Sequence, residues 1–202
     1  MIVQQSTLYS VQISPDKPTN VTPSDVMKFL GICILGSVGL RNVRYYWNPV
    51  LGVPLIQETM TVNYFETIRR CIHFNDNNNC IPRGQPGHDK LYKLRPIVNH
   101  LQEKFMSIPM EEFISVDEQM CPTKTRHHLK QYMPDKPHKY GFKLFVLSGY
   151  AYNFEVYTGQ ENESKRKDGE PYLGASSNVV VRLTRDIPEN SHHMTIIIHQ
   201  FH

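Results

Sequence analysis

The chain has 202 residues, 40% hydrophobic and 20% charged, with 14 Pro and 11 Gly. That is enough to bury a core in one or two small domains, and it excludes collagen-like, coiled-coil and disordered classes. Lys plus Arg number 22 against 19 Asp plus Glu, a net charge of +3, mildly basic and far from a histone-like excess.

The first twenty residues read as an irregular segment. Thr22-Pro23-Ser24-Asp25 then reads as a helix start, with Thr22 as cap, Pro23 at the first helical position and Asp25 completing a capping-box-like pattern. Val26, Phe29, Leu30, Cys33 and Ile34 follow at spacings that put them on one face, and Gly36 and Gly39 mark the end. A second helix is signalled by Tyr64, Phe65, Ile68, Cys71 and Ile72, stopped by the polar run Asp76 to Asn79. Pro82 to Asp89 reads as a loop. A third helix carries Leu91, Leu94, Val98, Leu101 and Phe105 on one stripe, with Pro96 as an expected kink. Residues 20–110 are therefore expected to be mostly helical.

The pattern then changes. Phe113 to Asp117, Phe142 to Leu147 and Phe154 to Tyr157 are short, apolar and strand-like, separated by Pro134-Asp135-Lys136-Pro137 and by Ser148-Gly149. Glu161 to Glu170 reads as an exposed loop. Val179 to Leu183 fits a strand or a buried helix, and Thr195 to Ile198 is a strand candidate. The fold class that follows is α+β, divided as 1–20 irregular, 21–111 helical and 112–202 sheet-forming.

No run approaches 18 apolar residues, so no membrane span is expected. The start lacks the basic, then apolar, pattern of a secretory signal. Cys33, Cys71, Cys80 and Cys121 form no CxxC pair and read as free thiols. His127-His128 and His192-His193 lack metal-ligand spacing.

Two features carry chemistry. Asp117 ends an apolar strand and precedes Glu118. A carboxylate there suits Mg²⁺, which takes oxygen ligands together with substrate phosphate; the pair equally suits the start of a solvated turn. The second feature is Lys124, Arg126, Lys130, Lys136, Lys139 and Lys143, interleaved with Tyr132 and Tyr140. Basic side chains neutralise phosphates and aromatics stack on exposed bases; a solvated hairpin face would show the same pattern. Residues 115–155 hold six Lys and Arg against four Asp and Glu, the highest basic excess per residue in the chain.

Ser115-Val116-Asp117-Glu118-Gln119-Met120 and Gln131 to Lys143, continuing into Phe154 to Gly159, resemble the piggyBac transposase family. Trp47, Phe65, Leu91 and His73-Phe74-Asn75-Asp76 resemble its helical lead-in, so the match runs over roughly residues 20–195. The resemblance implies a helical DNA-binding region followed by a ribonuclease H-like core: three antiparallel strands, a helix over Ser177 to Leu183, and a fourth strand. It implies three metal-binding aspartates, of which Asp117 matches the first. Glu118 is then a structural neighbour. Arg126, Lys130, Lys136, Lys139 and Lys143 are the candidate phosphate contacts.

The departures are equally specific. Where the family carries a second aspartate in a YFDNFF-like fourth strand, this chain reads Met194 to His202, with no Asp or Glu after Glu189. After the first strand, Thr125-Arg126 stands where the family usually has Gly-Arg. His199 and His202 suit Zn²⁺ or Ni²⁺ better than Mg²⁺. The expectation is a truncated, incomplete core that binds no cofactor as it stands, with Mg²⁺ expected only if the acidic site were completed. Weak DNA contact is expected, with a full-length transposase-like protein as a further partner, no membrane, and a nuclear rather than cytoplasmic location. Two alternatives stay open: a host-adapted protein-interaction module without a DNA role, or part of an active transposase whose other aspartates come from elsewhere.

Overall fold

The computed structural model describes residues 1–36, 42–134, 136–159, 173–188 and 191–197. Gly39, Asp135, the Glu161 to Glu170 stretch, His199 and His202 lie outside the described residues. The chain divides into two compact units, Met1–Ile97 and Val98–His202.

The first unit is helical from its start. Helix α1 spans Ile2–Ile13, where an irregular segment was expected. Its buried residues are Ser6 and Ser10, so apolar periodicity could not reveal it. Their hydroxyls accept hydrogen bonds from the His73 N–H at 3.0 Å and the Thr19 N–H at 2.5 Å. Helix α2 spans Pro23–Gly36 and opens with the expected reciprocal cap. Thr22 N–H donates to Asp25 Oδ2 at 2.9 Å, and Asp25 N–H donates to Thr22 Oγ1 at 3.2 Å. Its buried stripe is Val26, Phe29 and Ile32, whereas Leu30, Cys33 and Ile34 face outward, a rotation from the expected face. The reason is the partner: Phe29 stacks on Phe65, ring centroids 4.8 Å apart, and fixes which side of α2 is covered.

A 3₁₀ turn at Val43–Trp47 and helix α3 at Pro54–Thr59 lead to α4 at Val62–Cys71. Helix α4 buries Phe65, Ile68 and Cys71, three of the five positions expected for it. The core of this unit is Phe29, Ile32, Tyr46, Ile56, Met60, Phe65 and Ile68, and Trp47 Nε1 closes it by donating to the Met60 carbonyl at 2.6 Å. Asn77–Asn79 is a 3₁₀ turn.

Helix α5 spans Arg95–Met106. Leu91 and Leu94 precede it in turns. Pro96 falls in its first turn, where a missing N–H costs nothing, so it starts the helix rather than kinking it. The boundary between the units falls inside this helix, not at 111–112, because its Val98 and Phe105 pack on Val146 and Phe154 of the sheet.

The second unit is built on a five-stranded sheet: β1 at Phe113–Pro122, β2 at Gln131–Tyr132, β3 at Tyr140–Ser148, β4 at Ala151–Val156 and β5 at His193–Ile197. Strand β3 pairs antiparallel with β1, β2 and β4, and β5 runs parallel to β1 on its other side. Helix α6 spans Ala175–Thr184 between β4 and β5. The valine run is thus helical: Val179, Val180 and Leu183 pack on Ile114, Val116, Phe145 and Leu147, and that burial outweighs β-branched propensity. Alternation gives the sheet two covered faces. Ile114, Val116, Phe145 and Leu147 face α6, while Val146 and Phe154 face α5.

Candidate functional site

Strand β1 runs five residues beyond its expected end, so Asp117 lies in the strand interior rather than at a tip, and no turn begins there. The chain continues as strand because Glu118 enters the buried face with a partner. Asp117 is half-buried, across from Val146 on β3 and from Ile197 on β5. Its Oδ1 accepts the Glu118 N–H at 2.6 Å. Two residues back along the same face, the Ser115 and Ser148 hydroxyls share a hydrogen bond at 3.0 Å.

Glu118 points to the opposite face and is 1% exposed. Lys143 Nζ donates to its Oε1 at 2.6 Å, and Oε2 has no hydrogen-bond partner. The same ammonium lies 4.5 Å from the ring centre of Phe145 and 5.4 Å from that of Tyr157. A phosphate contact needs a solvent-facing cation. Lys143 is 4% exposed and committed to a carboxylate, so it leaves the candidate phosphate set. A second buried pair stands nearby in the fold: Arg182 of α6 holds Glu155 of β4 through two bonds, 2.8 and 3.1 Å. Sequence reasoning missed both pairs. The signal was available for the first, since Glu118 and Lys143 each continue the inward-facing phase of an apolar strand, beyond Val116 and before Phe145.

The other basic residues gather where β1 ends and β3 begins. Arg126 and Lys139 are exposed. Lys130 is half-buried, its ammonium 5.2 Å from the centre of the Tyr140 ring. Lys136 donates to the Glu118 carbonyl at 3.0 Å. Two backbone bonds tie the flanking loops to the start of β3: Thr123 N–H to the Tyr140 carbonyl at 3.2 Å, and Met133 N–H to the Lys139 carbonyl at 2.8 Å. Gly141 lets the strands meet, because a Cβ there would collide with the Cys121 carbonyl and the Met120 sulfur. The Pro122 end of β1 lies about 17 Å along the strand from Asp117, at about 3.3 Å per residue, whereas the Lys136 ammonium reaches back to the Glu118 carbonyl, one residue from Asp117.

Among the described residues, the donor set around Asp117 does not fit a pair of divalent cations. Asp117 is flanked on both neighbouring strands by apolar side chains, and the adjacent carboxylate turns away into an ion pair. Among the described residues no three His, Cys, Asp or Glu side chains converge to hold a metal. Among them, too, no helix is long and apolar enough to cross a membrane.

Comparison with known proteins gives a consistent result. The family model described as Transposase IS4 matches residues 1–201. The chain is 32% identical over 196 residues to human PiggyBac transposable element-derived protein 3, covering 94% of this chain and 31% of that protein. It is 28% identical over 165 residues to human PiggyBac transposable element-derived protein 2, covering 78% of this chain and 27% of the relative. It therefore spans about a third of the length of these relatives. Among solved structures, a piggyBac transposase in a synaptic complex with hairpin DNA superposes with a TM-score of 0.77 at 19% identity, over 96% of this chain and 41% of that one. At that identity the likeness concerns the fold.

Proposed function

Because this chain belongs to the piggyBac-type transposase family and is transposase-derived, we propose that it binds DNA through the basic end of its sheet and does not cut DNA by itself. The observation that carries the binding reading is the grouping of Arg126, Lys130 and Lys139 around the start of β3, with no carboxylate bonded to them among the described residues. Unpaired cations held on one rim are what phosphate neutralisation requires. Lys136 joins them with the N–H donors left after its bond to Glu118. The solved relative's complex with DNA supports the same reading.

The strand arrangement supports reading residues from Phe113 onward as a ribonuclease H-like core: antiparallel β1, β3 and β4, then α6, then β5 parallel to β1. In that reading Asp117 is the first acid of the family's set. The β5 position beside it is Ile197, which supplies no ligand. One carboxylate cannot hold two Mg²⁺ ions in an in-line geometry. A nuclear location follows from DNA as partner.

The test is a DNA-binding titration between about 50 and 200 mM salt, in which each neutralised phosphate adds about 0.9 to the negative log–log slope. Wild type should show a steep slope, and Arg126→Glu with Lys139→Glu should flatten it by about two units. A salt-independent affinity sinks the binding reading. It would favour instead a protein-interaction module, for which Met27 and Ile34, 70% and 72% exposed on α2, are the motivating observation. For cleavage, wild type and Asp117→Ala should be equally inactive on transposon-end DNA with Mg²⁺ or Mn²⁺; activity above the variant overturns the second half of the proposal.

A further inference from the structure

Tyr132 of β2 and Tyr140 of β3 are direct cross-strand partners, so both rings stand on one face of the ladder. Their centroids are 4.9 Å apart with the planes tilted by 42°. A cross-strand aromatic pair helps to hold a two-residue strand in place. That role does not require exposure, yet Tyr132 is 51% and Tyr140 55% exposed. Lys130 continues the same face two residues before Tyr132, with its ammonium over the Tyr140 ring. Lys139 and Arg126 flank the pair on the loops tied to β3.

The chemistry of this patch separates two forms of DNA. In a duplex each base already stacks on its neighbours and shows only its edges to a protein, so a bare phenol ring gains little. An unpaired base offers its whole face to a ring, and every base has such a face, so the contact is sequence-tolerant. A ring pair with one cation above it and others at its rim supplies both halves of what an unpaired nucleotide needs: a stacking platform and phosphate neutralisation.

We propose that Tyr132 and Tyr140, with Lys130, form a stacking platform for unpaired nucleotides of DNA, so that this end of the sheet prefers single-stranded over duplex DNA. The inference rests on the DNA-binding reading above and adds to it the form of DNA recognised. The platform is built into the strand register: Gly141, one residue after Tyr140, permits the close approach that places both rings at the sheet's end.

The experiment measures affinity of the whole chain for labelled oligothymidylate and for its duplex with oligoadenylate, at one fixed salt concentration. Tyr132→Ala and Tyr140→Ala should each weaken single-strand binding by about 5- to 150-fold, the value of one lost base stack. Duplex binding should stay within about twofold. Tyr132→Phe and Tyr140→Phe keep the ring and should bind single strands like wild type. Equal losses on both DNAs, or no loss from the alanine variants, overturn the platform while leaving the phosphate contacts standing. Failure of wild type to bind either DNA overturns both readings together. Loss of single-strand binding in the phenylalanine variants also overturns it, because a hydroxyl contact rather than stacking would then be responsible.

Discussion

The two units keep their charges in different places. In the helical unit two ion pairs lie at the surface or half out of it: Arg44–Glu66 with the arginine 59% exposed, and Arg95–Asp89 at 30% each. Its buried polar residues are the small, neutral Ser6 and Ser10. The sheet unit does the reverse. Glu118–Lys143 is 0% and 5% exposed, and Glu155–Arg182 is 9% and 7%. The second pair joins the sheet to α6, and the first lies beside the Phe145 and Tyr157 rings. A buried pair is weak evidence for net stability, because desolvation offsets the attraction; its partners nonetheless depend on each other, since removing one leaves a bare charge in a dry place. The helical unit should thus tolerate loss of charge and suffer from loss of volume. The sheet unit should suffer from both.

The largest effect expected is from Lys143→Met, which strands the Glu118 carboxylate. It should destabilise the sheet unit by about 3–5 kcal/mol. Combining it with Glu118→Leu should restore most of that loss, because two apolar groups of similar volume need no partner. Urea denaturation gives the size, and hydrogen exchange shows whether the loss stays in β1, β3 and β4. A single variant as stable as wild type would break the comparison.

Next is Ile68→Ala, at a position 0% exposed in the helical core. Removing a buried isoleucine side chain costs about 2–5 kcal/mol, with the cavity term deciding where in that range. Faster exchange should appear in α2 and α4. Smaller again is Thr22→Ala, which removes one half of the reciprocal cap on α2 and should cost about 1 kcal/mol by thermal denaturation.

Acid should reach the helical unit through three carboxylates held below their ordinary values. Burial works against Asp25, but the Thr22 hydroxyl and N–H and the Tyr64 hydroxyl outweigh it and keep its carboxyl below 3.8. The Arg44 guanidinium does the same for Glu66 relative to 4.5, and the Asn78 N–H with Gln12 for Asp76 relative to 3.8. A lowered folded-state value means the stabilisation is fully present above the ordinary value and is lost as pH falls through the lowered one. Stability of α1, α2 and α4 should therefore be flat down to about pH 5 and decline below it. Asp25→Asn should flatten part of that decline, followed by circular dichroism against pH. The smallest expected effect is Arg44→Ala, whose partner interaction is solvent-screened; only a slight fall in the denaturation midpoint is expected, smaller than that of Thr22→Ala, and a larger one would mean the surface pairs carry more than exposure suggests.

How much of this was legible in the sequence depended on whether the signal was local. The α2 cap was, because Thr22 and Asp25 are three residues apart and bond to each other. So were the strand cores around Val116, Phe145 and Phe154. Helix α1 was not, because its fully buried positions are serines, with Ile2, Val3 and Tyr9 only partly covered, and its bonding partners are His73 and Thr19. The outward turn of Leu30 and Ile34 was not, because Phe65 selects the buried face of α2. In the site, the basic and tyrosine residues were legible as a group, but Lys143 was misassigned among them. A lysine in a strand looks the same in sequence whether it faces water or Glu118.

The sequence by itself determined the family, the change from helical to strand-forming segments between residues 106 and 113, and Asp117 as the residue of interest. These depend on residue types at short spacings, which a single chain carries in full. Only the tertiary structure decided that Ile197 is the residue paired with Asp117, that Glu118 and Lys143 bury one another, and that Tyr132 and Tyr140 share an exposed face. Each of these follows from strand register, and register is set by pairing between segments 8 to 80 residues apart in the chain. No local periodicity encodes that pairing, and a shift of one residue would exchange the two faces.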